Sequence, residues 1–483
     1  MRRIINILSK NWLLITIIIF AIFLRFYKLE EFATFLGDQG RDAIIIKRIL
    51  TREHLPAIGA PTSIGQVYLG PFYYYFIAPW LLLFNFNPLG LAFGVAFLSS
   101  VFLLISFFII NKIFDEKTAL ISLFLLSFSY VLIDLSRFSW NPNLLPFFSL
   151  FTLYFFYQAI KTEKKLLFFL AGALLSFSIQ LHYLALSLVL PIAIYSLFYL
   201  FKNKKNFFSR FTSLFILFLS FTVFSSPLIV FDLRHNFLNS KNFLNLLKDT
   251  KGSGGSFITN FLNTFSSLNF YSFNHQFNQL IAIILLSAIF LSFFTYLKKS
   301  KDSFFHLHFV FILILLFLSG FSGPRHPHYL GVLYPFYFIL ISRYLTFLNK
   351  NFIEKLAVLA FLVFFFILNS QRYVFLYYKG GNQIKLAEKI AKKILKNINK
   401  EKFTITSLPE KYSDSTYRYF LEIWNKKPIE KDSLIKADEL FVVCEKQCHP
   451  IIGNPQWDIA YFAPNKIANQ WSVNNVKIYK LIR

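Results

Sequence analysis

The stretch "LGLAFGVAFLSSVFLLISFFII", residues 89–110, carries no charged side chain over 22 residues. As an α-helix it would be about 33 Å long, enough to cross the roughly 30 Å hydrocarbon layer of a bilayer. Comparable runs recur along the 483-residue chain, of which 56% is hydrophobic. The runs do not alternate as the strands of a membrane β-barrel do. The sequence therefore predicts an all-α polytopic membrane protein.

About eleven transmembrane helices are expected from these runs. They are placed at residues 4–28, 88–111, 118–134, 142–160, 166–182, 183–201, 211–231, 276–297, 303–321, 329–347 and 356–375. The stretch "PFYYYFIAPWLLLF" (71–84) is apolar but short for a span. If it crossed the bilayer, the lysine-rich loops would move outside, so we interpret it as an interfacial or re-entrant helix.

The formal net charge of +26 could suggest a nucleic-acid partner. Many of the Lys and Arg residues, however, lie in short loops between apolar runs, such as "KTEKK" and "KNKKNFFSR". Loops of this kind remain cytoplasmic. The charge thus indicates topology rather than nucleic-acid binding, and it predicts a multi-pass protein of the plasma membrane.

Two domains are predicted. Residues 1–375 would form the transmembrane domain, with a first outer loop at 29–87 and a long outer loop at 232–275. Residues 376–483 would form a small soluble extracytoplasmic α/β domain, with a helix at "LAEKIAKKILKNI" and strands at "KFTITSL", "ELFVVC" and "VKIYKLI". The cysteines Cys444 and Cys448 could form a disulfide on that side or remain free thiols, and the sequence leaves both open.

Polar residues gather at the predicted outer ends of five segments that are far apart in sequence. They include Asp38, Gln39, Arg41 and Asp42; Asp134, Arg137, Trp140 and Asn141; His182 and Tyr183; Asp232, Arg234 and His235; and Arg325, His326, His328 and Tyr329. Ionisable groups at membrane depth are costly unless they are paired or face a cavity. We expect these residues to surround one site, with Asp38 and Arg325 facing a shared cavity.

Each cluster also has a structural explanation. Asp38 could cap the following helix, Asp42 could pair with Arg41, and Trp140 could belong to an interfacial aromatic belt. "RHPHY" (325–329) offers several donors in a turn stiffened by prolines, an arrangement that suits a phosphate. The histidines give weak evidence for a transition metal, whereas a divalent cation on carboxylates such as Asp38 stays an open alternative.

The chemistry of such a site suits group transfer from a lipid phosphate. Arg and His donors would stabilise the charge that grows on the phosphate leaving group. A carboxylate would take the proton of the incoming hydroxyl. No G-x-G-x-x-G or P-loop pattern occurs, in keeping with a donor that is already carried by a lipid.

The stretches "GDQGRDAIIIKRIL" (37–50) and "LGPFYYYFIAPWLLLFNFNPLG" (69–90) resemble the membrane-embedded GT-C glycosyltransferases. The resemblance is to the branch of the dolichyl-phosphate-mannose protein mannosyltransferases and bacterial lipid A aminoarabinose transferases, and it covers roughly residues 10–345. It implies a GT-C fold, an extracytoplasmic site, a polyprenyl-phosphate-sugar donor and an inverting mechanism. A glycan, a lipid or a protein would be the acceptor.

Residue roles follow from the resemblance position by position. Asp38 would be the general base, and Asp134 would help to orient the acceptor or a cation. Arg325 and His326 are candidates for the donor phosphate. Family members often show Asp-Glu in the first loop, whereas this chain has Asp38-Gln39, so a metal that bridges two acids there is less expected.

Two rival functions differ in class or in donor. A transporter of lipid-linked sugars would place ionisable residues along a path through the membrane midplane, whereas here they collect at one face. A polysaccharide polymerase or ligase would consume a diphosphate-linked glycan. The sequence does not identify the sugar or the acceptor.

Overall fold

The structure is a computed structural model. It describes residues 11–62, 66–202, 204–249, 256–297, 302–321, 323–348, 350–409, 413–431, 433, 435–446, 448 and 450–483. The described chain is mostly helical and has one small sheet near its C-terminus. Residues 4–10 of the predicted first span lie outside the described ranges.

An apolar helix lies at each of the predicted spans. These helices are Trp12–Phe26, Leu89–Ile113, Glu116–Phe128 with Tyr130–Ser136, Leu145–Thr162, Lys165–Leu181, Val189–Phe201, Phe207–Arg234, Gln279–Tyr296, Ser303–Ser319, Tyr334–Leu348 and Phe352–Ser370. Within the described ranges, six helical stretches are long and apolar enough to cross a bilayer, and a bent pair would be a seventh. The membrane character is confirmed, and the count of eleven stays a prediction.

The helices pack through buried aliphatic and aromatic side chains, including Leu103, Ile110 and Phe338. Lys165–Leu181 and Phe207–Arg234 pack closely at Gly172, where an added Cβ would lie 2.2 Å from the carbonyl oxygen of Leu217. Only glycine fits there, because its missing side chain lets the two backbones touch. Outward faces of several helices remain apolar and exposed, as expected for surfaces in lipid.

The predicted span 118–134 is not one straight helix. Glu116–Phe128 and Tyr130–Ser136 meet at a bend of 62°. At the break, the backbone N–H of Tyr130 donates to Asn369 Oδ1 at 2.8 Å. A side chain from another helix therefore satisfies a donor that a continuous helix would have paired internally.

Phe72–Leu83 is the short apolar helix expected at 71–84. Its 12 residues give a length of about 18 Å, too short to cross the hydrocarbon layer. Tyr73, Tyr74 and Ile77 are buried against the protein. These features support the interfacial interpretation.

The two segments that the sequence predicts as outer loops, 29–87 and 232–275, hold further helices. They are Leu29–Phe32, Gly37–Leu50, Leu238–Asp249 and Phe257–Phe273. Short helical turns lie elsewhere in the chain, at Asn141–Leu144, Tyr183–Leu188, Lys204–Asn206, Pro327–Leu330 and Val374–Tyr377. Gly37–Leu50, called the first-loop helix below, contains Asp38. Residues 59–62 and 66–69 run antiparallel, with a hydrogen bond from Thr62 N to Val67 O at 2.7 Å, and are called the loop-one hairpin below.

The C-terminal sheet unit comprises residues 383–483. Its strands are Phe403–Leu408, Glu439–Cys444, Lys466–Val473 and Val476–Ile482, and its helices are Gln383–Leu395, Ser415–Ile423 and Trp457–Phe462. In spatial order the strands run first, second, fourth, third. The first pair is parallel and the other pairs are antiparallel. The predicted helix and three predicted strands are confirmed, and Cys444 and Cys448 form a disulfide.

Candidate functional site

A cavity of about 390 Å³ lies between the first-loop helix and the ends of several apolar helices. Polar residues from four of the five predicted segments line it. These residues are Asp38, Arg41, Trp140, Asn141, His182, Tyr183, His328 and Tyr329. The chain thus brings residues almost 300 positions apart to one hollow. We call it the Asp38 cavity.

Asp38 and Asp42 share one arginine. Arg41 Nη1 donates to Asp38 Oδ1 at 2.9 Å, and Arg41 Nη2 and Nε donate to Asp42 Oδ1 at 2.7 and 3.0 Å. Asp38 is half exposed, whereas Asp42 is buried. The guanidinium therefore lies between a carboxylate that faces the cavity and one that does not.

Asp42 holds Arg41 in position without lining the Asp38 cavity. Tyr74 donates to Asp42 Oδ1 at 3.0 Å, while Oδ2 has no hydrogen-bond partner. Burial raises the pKa of Asp42 above its ordinary value, against the opposing effect of Arg41. Removing a carboxylate from water disfavours its charged form, and the adjacent guanidinium restores part of that loss. Asp42 thus fixes Arg41 rather than reaching a substrate.

Gln39 performs the capping role that the sequence left open for Asp38. Its Oε1 accepts the backbone N–H of Leu36 at 3.1 Å, just before the helix begins. Gln39 is buried and does not line the Asp38 cavity. Asp38 Oδ1 accepts from Arg41, and in the described part of the chain no hydrogen bond to Asp38 Oδ2 is seen.

Aromatic and imidazole rings from other segments form a second part of the cavity wall. The His328 ring lies 4.5 Å from the rings of Trp140 and Tyr329 and 5.6 Å from that of His182, measured between centroids. His182 Nδ1 accepts the backbone N–H of Leu184 at 3.2 Å. A neutral imidazole with one nitrogen accepting carries its proton on the other, so Nε2 of His182 is a donor.

Both histidines of this wall are neutral at ordinary pH. Burial lowers the pKa of His182 to about 4. Burial and the neighbouring His182 and His326 rings lower the pKa of His328 to about 3. They can donate hydrogen bonds through N–H, and Arg41, a cationic group that lines this cavity, is paired with Asp38 and Asp42.

Apolar side chains complete the cavity. They are Val67, Leu69, Leu184, Leu186, Phe243, Leu246, Phe317 and Phe321. Phe243 and Leu246 lie three residues apart on Leu238–Asp249, within the long predicted outer loop. The sequence analysis missed them, although their spacing places both on one face of an amphipathic helix.

The loop-one hairpin closes one side of the cavity. Tyr68 N donates to Asn239 Oδ1 at 2.7 Å, and Asn239 Nδ2 returns a bond to Tyr68 O at 3.0 Å. Tyr183 also donates to Tyr68 O at 2.5 Å. These bonds join the two predicted outer loops at the rim of the site.

Several predicted site residues have structural roles instead. Arg137 is buried and donates to the carbonyls of Leu24 and Tyr27 at 2.6 and 2.8 Å, where the first helix ends. Asp232 accepts the backbone N–H groups of Asn239 and Ser240 and so fixes the start of Leu238–Asp249. Their expected contacts with substrate at the Asp38 cavity are not supported.

The remaining predicted residues lie outside the Asp38 cavity as well. Arg234, His235, His326 and Asp134 are exposed and do not line it. His235 stacks on Phe231, with ring centroids 4.1 Å apart. The role expected for Asp134 therefore has no support from its position.

Arg325 corrects a central expectation. It lines a separate polar cavity next to Phe257–Phe273 and not the Asp38 cavity. Its guanidinium donates to the carbonyls of Phe321 and Gly323 and to Thr264 Oγ1. These bonds turn the side chain back onto its own loop, and the donors that line the cavity with Asp38 include Arg41, His182, His328 and Tyr329.

The C-terminal sheet unit packs directly on the first-loop helix. A Cβ added to Gly40 would lie 2.5 Å from the backbone nitrogen of Thr416. Phe35 N donates to Gln383 Oε1 at 2.8 Å, and Asn382 N donates to Glu31 O at 2.9 Å. The segment that presents Asp38 is therefore held by the C-terminal sheet unit.

Residues 69–230 match the family model of the dolichyl-phosphate-mannose-protein mannosyltransferases. No curated protein matches the chain by sequence. The matched residues include His182, Tyr183 and Asn141 of the Asp38 cavity, whereas Asp38 lies before them.

The fold is similar to that of ArnT from Cupriavidus metallidurans. The structure bound to undecaprenyl phosphate aligns with a TM-score of 0.63 at 12% identity, over 97% of this chain and 98% of that one. The apo structure also gives 0.63, over 98% of each chain. The oligosaccharyltransferase of Archaeoglobus fulgidus, in complex with Zn and sulfate, gives 0.52 at 14% identity, over 86% of this chain and 62% of that one.

These likenesses agree with the apolar helices of the described chain. The family match and the fold support a membrane glycosyltransferase. The resemblance to the GT-C group read from the sequence is confirmed, since residues 69–230 match the dolichyl-phosphate-mannose-protein mannosyltransferase model and the chain has an ArnT-like fold.

Proposed function

We propose that this protein transfers a sugar from a polyprenyl-phosphate donor to an acceptor hydroxyl at the outer face of the membrane. One observation carries the proposal. The half-exposed carboxylate of Asp38 faces a cavity whose other walls hold neutral N–H and O–H donors, one guanidinium and a set of apolar side chains. This combination matches an acceptor hydroxyl, a phosphate and an isoprenoid tail.

The proposed reaction is a single displacement at the anomeric carbon. The acceptor oxygen forms a bond to that carbon as the bond to the phosphate oxygen breaks, which inverts its configuration. Asp38 Oδ2 takes the acceptor proton, and the electron pair of the broken bond leaves on the polyprenyl phosphate. A positioned base typically contributes about 10²–10⁴ in rate.

Charge growing on the leaving phosphate would be met by hydrogen-bond donors that line the same cavity. His182, His328 and Tyr329 supply hydrogen-bond donors, and the guanidinium of Arg41, which Asp38 and Asp42 hold in place, adds further N–H groups. Donors fixed in place before the reaction stabilise such charge without having to reorient. Phe243, Leu246 and Phe321 would contact the first isoprene units. The bound undecaprenyl phosphate of the ArnT structure supports a donor of this class.

The proposal also includes the position of the two predicted domains relative to the membrane. Residues 1–375 would be a plasma-membrane domain, and residues 376–483 would be an extracytoplasmic domain together with the Asp38 cavity. The disulfide of Cys444 and Cys448 supports this orientation, because disulfides persist in oxidising compartments. Lysine-rich loops at the opposite ends of the helices support it independently.

The test compares envelope glycans, by mass spectrometry, from cells with and without this protein. Loss of one sugar substituent, restored by the intact chain and by Asp438→Asn but not by Asp38→Asn, would support the proposal. Asp438 is an exposed aspartate of the C-terminal sheet unit and serves as the matched control. Restoration by Asp38→Asn would refute the role of the base. Movement of a lipid-linked sugar across liposomes without covalent transfer would instead indicate a transporter.

A further inference from the structure

A second amphipathic cavity opens at the opposite end of the helix bundle from Asp38. It has a volume of about 670 Å³ and lies among helices Leu89–Ile113, Leu145–Thr162, Val189–Phe201, Ser303–Ser319 and Tyr334–Leu348. That volume is within the roughly 300–1,000 Å³ range of small-molecule sites. Nothing in the proposed transfer reaction uses this cavity.

Polar groups stand at its mouth. Lys161 and Lys202 are exposed there, at the lysine-rich ends of their helices. Tyr195 OH lies 2.7 Å from His306 Nδ1, and Tyr157 OH lies 3.4 Å from Ser303 Oγ. These two pairs present hydroxyl and imidazole groups beside the ammonium groups.

One acid also lines the mouth, and it is already paired. Glu163 Oε1 accepts from Arg210 Nη2 at 3.2 Å and from Nε at 3.3 Å. The positive charge of Lys161 and Lys202 is therefore not cancelled by Glu163. The mouth favours an anion.

The interior is apolar and extends well into the membrane half. Leu150 lies eleven residues before Lys161, which corresponds to about 16 Å along the helix. Val310 lies seven residues after Ser303, or about 10 Å deeper. Phe336 and Ile339 complete the inner wall. A free inorganic anion would leave this interior unfilled.

We propose that this cavity binds an anionic glycerophospholipid from the leaflet opposite the Asp38 cavity. The phosphate group lies between Lys161 and Lys202, and an acyl chain fills the space beside Leu150, Phe336 and Ile339. Basic pockets between membrane helices recognise anionic head groups in this way, by charge at the surface and by apolar contact below it. The site is separate from the proposed transferase chemistry and does not depend on it.

The experiment is native mass spectrometry of the full-length protein released from detergent, with dioleoylphosphatidylglycerol and dioleoylphosphatidylcholine as competing probes. The intact protein is expected to retain the phosphatidylglycerol preferentially. Lys161→Gln combined with Lys202→Gln should lower that retention about tenfold, since each lysine near the surface contributes a several-fold attraction. The matched control is Lys117→Gln with Lys355→Gln, two exposed lysines outside the cavity.

A second variant tests the interior. Ile339→Phe adds bulk to the inner wall and should displace both lipids, while an unchanged thermal midpoint would show that the bundle still folds. Equal retention of the two lipids by the intact protein would overturn the proposal. So would undiminished phosphatidylglycerol binding by the double lysine variant, or displacement of the lipid by excess inorganic phosphate.

Discussion

Arg48 and Glu422 form a two-bond ion pair between the first-loop helix and the C-terminal sheet unit. Arg48 Nε donates to Glu422 Oε1 and Arg48 Nη2 donates to Glu422 Oε2, each at 2.8 Å. Glu422 is only 5% exposed. Arg48 lies on the same helix as Asp38, ten residues further on. The C-terminal sheet unit therefore anchors the helix that carries the proposed base.

Arg48→Ala should destabilise this attachment strongly. It would leave the Glu422 carboxylate buried without its principal partner, which typically costs about 3 kcal/mol. Thermal unfolding of the detergent-solubilised protein measures the effect. The control is Lys427→Ala, which removes an exposed partner of Glu430 and should cost less than about 1 kcal/mol. Equal losses in the two variants would show that the Arg48 pair does not fasten the unit.

Gly40→Ala should separate the first-loop helix from Ser415–Ile423. A methyl group 2.5 Å from the Thr416 backbone cannot be accommodated without a shift of the main chain. Overpacking of this kind costs about 1–3 kcal/mol, which outweighs the gain of roughly 1 kcal/mol from better helix propensity. Faster hydrogen exchange across residues 37–50 would show the separation.

Gly381→Ala is the matched control for that substitution. The nearest atom to an added Cβ at Gly381 lies 3.9 Å away, in ordinary contact. The hydrogen exchange of residues 37–50 and the thermal midpoint of the Gly381→Ala variant should equal those of the intact protein. Unchanged exchange in Gly40→Ala would mean that the close packing at Thr416 is relieved in solution.

His328 should make the protein less stable in acid. Its pKa is lowered to about 3 in the folded chain, against about 6.5 in the unfolded chain. Between these values the unfolded state binds a proton that the folded state does not. The free energy of unfolding is therefore not reduced by His328 above pH 6.5, and it decreases as the pH falls toward 3.

Thermal midpoints from pH 7 to pH 4 measure this dependence. His328→Gln, which does not titrate, should show a smaller decline than the intact protein. His235→Gln, at an exposed histidine, should decline as the intact protein does. Identical declines in all three proteins would contradict burial of a neutral His328.

The helices were predictable because each follows from an apolar run whose length the bilayer dictates. Leu89–Ile113 lies at the predicted 88–111, and Glu439–Cys444 is the strand expected at "ELFVVC". The bend at Ser129 was not predictable, because it depends on Asn369, 239 residues from the Tyr130 amide that it accepts. Long-range side-chain contacts leave no local pattern.

The site was only partly predictable. Asp38, His182 and His328 were expected to converge, and they do, because all three follow or precede apolar segments at one end of the bundle. Arg325 and Asp232 were predicted to line the Asp38 cavity and do not. Their side chains form hydrogen bonds with backbone groups that are close in sequence. Sequence position at the membrane boundary does not distinguish such a local partner from a substrate.

The central claim is that Asp38 removes the acceptor proton in a cavity that holds a polyprenyl phosphate. The most direct measurement is the rate of sugar transfer by the purified Asp38→Asn variant in nanodiscs. The sugar donor is the one identified from the envelope glycans. The affinity of the same variant for undecaprenyl phosphate is measured in parallel. The account predicts a rate about 10²–10⁴ lower than that of the intact protein, with affinity for the lipid phosphate essentially retained. A rate within tenfold of the intact protein would contradict it.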